Sequence, residues 1–125
     1  QVVVTIGGCA GDVTTSYLRE RKAPAPIRLR AVRRDGSTEV RAMMFHPMES
    51  GQRPDRSGER VPAHHIVEIR AERNGVAVLT ANTGGSLSEN PFLAFRLPGG
   101  AAGDRIRLGW TDTLGDSRSD EVVLE

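Results

Sequence analysis

One thiol and three imidazoles are the groups in this chain best suited to covalent, metal or acid–base chemistry: Cys9, His46, His64 and His65. Cys9 sits in Ile6-Gly7-Gly8-Cys9-Ala10-Gly11, directly after the β-type run Val2-Val3-Val4-Thr5-Ile6. Gly7, Gly8 and Gly11 carry no side chains to shield the sulfur, and their backbone freedom lets it swing. The flanking glycines favour an exposed, reachable thiol over a small buried hydrophobe. No basic residue adjoins Cys9 in sequence, and no helix N-terminus is assured to lower its pKa. The segment therefore suits a passive attachment point that a partner enzyme activates, rather than a self-activated catalytic cysteine. A single cysteine can form neither an internal disulfide nor a Cys-based metal site.

His46 lies in His46-Pro47-Met48-Glu49-Ser50-Gly51-Gln52-Arg53, and the other two in Pro62-Ala63-His64-His65. One reading is a metal site that joins His46 to one member of the pair. The plainer reading is hydrogen bonding within loops. Adjacent residues of an extended chain face opposite sides, so His64 and His65 do not share an ion. No Asp or Glu falls at a recognised ligand spacing. The expectation is therefore no metal and no cofactor. A Cys9–His pair is conceivable, but nothing in the sequence brings the two together. No serine stands in a nucleophile elbow. Gly99-Gly100-Ala101-Ala102-Gly103-Asp104 lacks the Lys-Ser/Thr and following helix of a phosphate loop, and reads as a wide turn. No enzyme activity is expected.

The elements that would position these groups are short strands. The 125 residues make one domain plus a tail, and 14 Gly and 7 Pro favour turns over long helices. Residues 14–22 could hold a short helical turn, and Ala23-Pro24-Ala25-Pro26 reads as an extended linker. From Ile27 to Arg33 apolar and charged residues alternate, the period of a half-buried strand. Asp35-Gly36 turns the chain into a partner strand over Glu39–Met44, and 46–62 reads as a long loop. Residues 66–72 alternate again, and Asn74-Gly75 makes a second hairpin with 76–80. A loop over 82–90 follows, then a strand over 92–97. The alternation over 105–110 gives another strand, and 121–124 closes the chain. About seven strands with turns between them predict an all-β, immunoglobulin-like antiparallel β-sandwich, with a small barrel as the alternative. Its core is expected to rest on Ile, Leu, Val and Met, with all three Phe, including Phe92, and Trp110.

The formal net charge is +1, which gives nucleic-acid binding no overall support. Positive charge is nevertheless concentrated early, at Arg19, Arg21, Lys22, Arg28, Arg30, Arg33, Arg34 and Arg41. It reads first as a solvated face, with a docking patch for an acidic partner as the alternative. No segment approaches the ~20 apolar residues of a membrane span, so membrane insertion is not expected. No signal peptide is visible. The chain begins with Gln and enters mid-strand, which is expected of a fragment or a processed product.

Two sets of motifs resemble one known system, the SoxYZ sulfur-carrier family of bacterial thiosulfate oxidation. Ile6-Gly7-Gly8-Cys9-Ala10-Gly11 resembles the carboxy-terminal Gly-Gly-Cys-Gly-Gly arm of SoxY. The stretch from Ile27 resembles SoxZ through His46–Arg53, Pro62-Ala63-His64-His65-Ile66, Asn90-Pro91-Phe92-Leu93-Ala94-Phe95, and Gly103-Asp104 with Trp110. The resemblance implies three parts: the end of a SoxY-like domain over 1–11, a linker over 12–26, and a SoxZ-like domain over 27–125. It implies that Cys9 is the attachment point for sulfur intermediates, with no catalytic residue in the sandwich. It also implies a periplasmic setting, with an export signal upstream. The implied partners are a SoxY-type domain, in cis or in trans, and sulfur-oxidising enzymes such as c-type cytochromes. Two departures stand out. Ala10 replaces a glycine, and the arm is tethered at both ends instead of ending the chain. The roughly 15 residues from Asp12 to Pro26 could still span about 50 Å if extended. Fused SoxYZ-like carriers also occur beside quinoprotein alcohol dehydrogenases. There the chain would be a pairing module in which Cys9 carries no sulfur.

Overall fold

A computed structural model describes residues 23–125. The segment with Cys9, Gly7, Gly8 and Gly11, its expected strand and the expected helical turn lie outside the described residues. The seven strands are β1 (Arg28–Arg34), β2 (Ser37–Met43), β3 (Ile66–Arg73), β4 (Val76–Asn82), β5 (Phe92–Pro98), β6 (Arg105–Asp112) and β7 (Ser117–Val123). The described residues form no helix, and so none long and apolar enough to cross a membrane.

The two short hairpins follow from their turn residues. Asp35 and Gly36 have φ of 50° and 77°, and Asn74 and Gly75 have 53° and 82°. Two successive positive φ values match the right-handed twist of the flanking strands, and Asp, Asn and Gly reach them most cheaply. The pairs β1–β2 and β3–β4 result.

The strands form two sheets, β1-β2-β5 and β4-β3-β6-β7, with every pairing antiparallel. The connections β2–β3, β4–β5 and β5–β6 pass from one sheet to the other, as in the expected immunoglobulin-like sandwich. Period-two alternation turns one side of each strand inward. Val40 and Ala42 of β2 meet the inner face of the second sheet, where Ile69, Ala71, Leu108 and Trp110 are buried.

The sandwich has two different ends. The hairpin turns and the Gly99–Asp104 turn occupy one. The other, the loop end, holds residues 44–65, 83–91 and 113–116. Arg28 pairs with Met43 at that end, so the chain enters β1 beside the long loop.

Three expectations need correction. Phe92 is not core: the inward positions of β5 are Leu93, Phe95 and Leu97, and Phe92 is 60% exposed. The last strand begins at Ser117, not at 121. Its first residues are polar, but pairing with β6 through Ser117–Thr111 and Ser119–Gly109 holds them extended. The long loop is also internally paired. Glu49 and His64 exchange backbone hydrogen bonds, the Val61 N–H donates to the Arg53 carbonyl, and the Asp55 N–H donates to the Glu59 carbonyl. At its tip the Asp55 carboxylate accepts from the Ser57 and Glu59 N–H groups. Pro and Gly concealed this ladder because they break the alternation by which strands are read.

Trp110 and Phe92 should therefore differ sharply in urea unfolding. Trp110→Ala is expected to cost about 3–5 kcal/mol, as for other buried large aromatics. Phe92→Ala should stay within about 0.5 kcal/mol, as for surface positions. Equal losses would contradict this placement.

Candidate functional site

Alternation carries His46 into the interior. Thr38, Val40 and Ala42 are buried along β2, and the same period continues past the strand through Met44, His46 and Met48. His64 arrives from the other arm of the loop ladder, two residues before the buried Ile66. Ile106, Leu108 and Trp110 face inward along β6, and the next inward position is Asp112. Three strand ends thus deliver two imidazoles and a carboxylate to one buried point at the loop end.

The Asp112 carboxylate is fully engaged. Its Oδ2 accepts from His46 Nε2 and from His64 Nε2, each at 2.9 Å. Its Oδ1 accepts from the Leu114 and Asp116 N–H groups at 3.0 and 2.9 Å, which closes the β6–β7 turn. Four N–H donors match the acceptor capacity of an ionised carboxylate. Burial pushes the Asp112 carboxyl up, but the hydrogen bonds from His46 and the Asp116 backbone, with the charge and hydrogen bond of His64, outweigh it. The pKa settles below the ordinary 3.8.

His46 is held in a single form. Its Nδ1 accepts from the Met48 N–H at 3.0 Å. A backbone N–H can only donate, so Nδ1 carries no proton and Nε2 carries the one given to Asp112. Burial lowers the pKa of His46 below the ordinary 6.5, and the neighbouring His64 lowers it further, against the opposing pull of Asp112. The ring stands edge-on to His64 and to Trp110, with centroids 4.6 and 5.0 Å away. The Trp110 indole N–H is buried with no hydrogen-bond partner, so this ring is held by packing.

The backbone around the cluster is tied to the same residues. The His46 N–H donates to Asn90 Oδ1, and the Asn90 N–H donates to the His46 carbonyl. Asn90 has φ of 52°, which turns its side chain back toward His46. The Met44 N–H donates to the Pro91 carbonyl, and the Thr113 N–H to the His65 carbonyl. Three stretches distant in sequence, around His46, His64 and Asn90, therefore meet at one end of the sandwich with the end of β6.

His46 and His64 come together as one reading of the sequence had it, while His65 faces the other way, half-buried, with Nδ1 at 3.2 Å from the Ile66 carbonyl. Asp112 was missed. Its signal was present: β6 alternation puts it on the inward face, and a buried acid there requires donors. Asp112-Thr113-Leu114-Gly115 is also a side-chain-closed turn sequence. The ligand atoms of His46, His64 and Asp112 lie within 4.8 Å of one another, a spacing one ion could bridge. The hydrogen bonding opposes that use. Metal ligation through His46 Nε2, with Nδ1 accepting from Met48, would require a doubly deprotonated ring. With both nitrogens of His46 committed, this imidazole has no atom to offer a substrate as general base. The arrangement acts as a buried clamp on the loops.

Residues 27–123 match the model of the sulphur oxidation protein SoxZ family. The chain belongs to the SoxZ family. A comparison with curated protein sequences finds no match.

Both shifted groups bind protons more weakly folded than unfolded, so acid favours the unfolded chain. Stability should be full above pH 6.5 and fall as pH drops through the lowered His46 value, with Asp112 adding to the loss below 3.8. Urea unfolding across pH 7 to 3 measures this; an unchanged profile in His46→Gln would exclude His46 as the source of the first fall. Asp112→Ala leaves two buried imidazole donors and two part-buried backbone donors unpaired and should cost about 3–5 kcal/mol at pH 7. Added Zn²⁺ should leave the thermal midpoint of residues 23–125 unchanged, and a concentration-dependent rise would contradict the assigned proton on His46 Nε2.

Proposed function

We propose that this chain is a non-catalytic carrier component of a sulfur oxidation system. Cys9 is the covalent attachment point, and the SoxZ-type sandwich supplies partner contacts. The observation that carries the reading is the SoxZ family match over 27–123, preceded by a lone thiol between glycines. The buried histidine–aspartate clamp suits a binding scaffold, because it spends its ionisable groups on fixing loops. Gly7, Gly8 and Gly11 give the thiol reach, and the residues between it and β1 form the tether. The division into an arm over 1–11, a linker over 12–26 and a sandwich over 27–125 belongs to this proposal, as do the periplasmic setting and a SoxY-type domain as partner.

The loading step is an oxidative conjugation. A Cys9 thiol and thiosulfate join through a new S–S bond to give Cys–S–S–SO₃⁻. The thiol proton and two electrons leave, and the electrons pass to a c-type cytochrome. The chain itself supplies the sulfur atom and the reach, and nothing in it needs to accept electrons.

A second reading has a specific observation in its favour: Ala10 stands where the SoxY-type arm has glycine, and the arm continues into another domain. There the chain is a pairing module and Cys9 stays unloaded. Intact-mass analysis after incubation with thiosulfate and an oxidising c-type cytochrome separates the two. The carrier reading expects a gain of one thiosulfate less a hydrogen, abolished by Cys9→Ser and reversed by a thiol reductant. No gain, or one that survives Cys9→Ser, overturns it.

A further inference from the structure

The outward faces of the two sheets carry charge in different ways. On the four-stranded sheet, opposite charges lie side by side. Arg107 has Glu72 of β3 and Glu121 of β7 as its register partners. Arg105 Nη1 lies 3.8 Å from Glu121 Oε2, and Arg70 Nε 3.7 Å from Glu72 Oε2. That face is a neutral mosaic.

The three-stranded sheet is different. Its outward positions carry Arg28, Arg30 and Arg34 from β1, Arg41 from β2 and Arg96 from β5, against the single acid Glu39. Glu39 is taken by Arg96, at 2.7 Å. Arg30 is the direct cross-strand partner of Arg41, and among the described residues neither has a carboxylate partner. Like charges placed directly opposite across a ladder destabilise it. The fold carries that cost in the middle of an exposed sheet face, while its other face avoids it.

Apolar side chains stand among these arginines. Met43 and Phe92 are register partners beside Arg28, and Val32 lies in the row of Glu39 and Arg96. Val32 and Phe92 are exposed large hydrophobics. Arginine with Met and an aromatic, and few acids, is the composition of protein interfaces. The guanidinium fork also matches a carboxylate bidentately.

We propose that the outward face of β1-β2-β5 is a docking surface for an acidic protein surface, one bearing Asp and Glu around a small apolar centre. This deepens the partner-contact half of the proposed function and rests on it. Charge decides among the possible occupants. A second copy of the same face would bring like charges together. Residues 1–22 carry Arg19, Arg21 and Lys22 against Asp12 and Glu20, and so offer no acidic surplus. A phosphate backbone would leave Val32, Met43 and Phe92 without a partner.

The test uses the full ¹⁵N-labelled chain and, as probe, a synthetic peptide of Glu-Glu-Leu repeats. An oligothymidylate of equal length serves as the phosphate control. Saturable amide shifts confined to β1, β2 and β5 are expected, and added salt should weaken the binding. Arg30→Glu with Arg41→Glu should weaken it about tenfold or more, whereas Arg70→Glu with Arg107→Glu should leave it unchanged. Arg41→Glu alone should weaken binding yet raise the thermal midpoint, because it removes the like-charge pair. Absence of saturable binding, equal weakening by both double variants, or equal or tighter binding of oligothymidylate would overturn the proposal. Cys9 loading, read by intact mass on the same samples, reports the carrier role separately. A chain that loads without binding the peptide sinks the docking face alone, and one that binds without loading sinks the carrier alone.

Discussion

The loop end of this sandwich is organised around one buried charge. The Asp112 carboxylate sits where the ends of β2, β3 and β6 converge, and the protein surrounds it with four N–H donors. Two come from imidazoles on the two arms of the long loop between β2 and β3, and two from the turn that starts β7. An uncompensated charge in such a place is among the costliest features a small domain can carry. Every segment that supplies a donor is therefore constrained in position. The long loop must present His46 and His64 at one point, the β6–β7 turn must close on Oδ1, and Asn90 must reach back to the backbone of His46. The ladder within 49–64 and the edge-on packing against Trp110 belong to the same arrangement.

That constraint commits both ring nitrogens of His46 inside the fold. A cluster of two imidazoles and a carboxylate has the composition of a metal site or a catalytic dyad. Here the Met48 N–H fixes the proton on His46 Nε2, and Asp112 receives it. The reactive electron pairs are used inside the fold. The cluster fixes the loops at one end of a SoxZ-family domain. Its two outer faces differ: one neutralises its charges within the sheet, the other leaves a surplus of arginine.

Much of the fold was legible before any coordinates. Asp35-Gly36 and Asn74-Gly75 name their hairpins because few residues adopt two consecutive positive φ values, and the alternation in β1, β3 and β6 marks strands half in water. Reading failed where that signal failed. The loop over 46–62 pairs with itself, but proline and glycine interrupt the period there. Ser117–Asp120 lacks apolar alternation, and its strand is held by a neighbour and not by its own preference. Phe92 looked like core because aromatics usually are, yet the β5 register turns it out beside Met43.

The candidate site divides in the same way. The sequence by itself determined the lone glycine-flanked thiol, the short-strand sandwich, and the half-buried alternation over 105–110, since these follow from residue type and local period. Only the tertiary structure decided that His46 and His64 share one carboxylate and that His65 does not. These are contacts across dozens of residues, set by strand register and the crossing of two sheets. A one-residue slip would reverse every side chain, so no local pattern could have specified them.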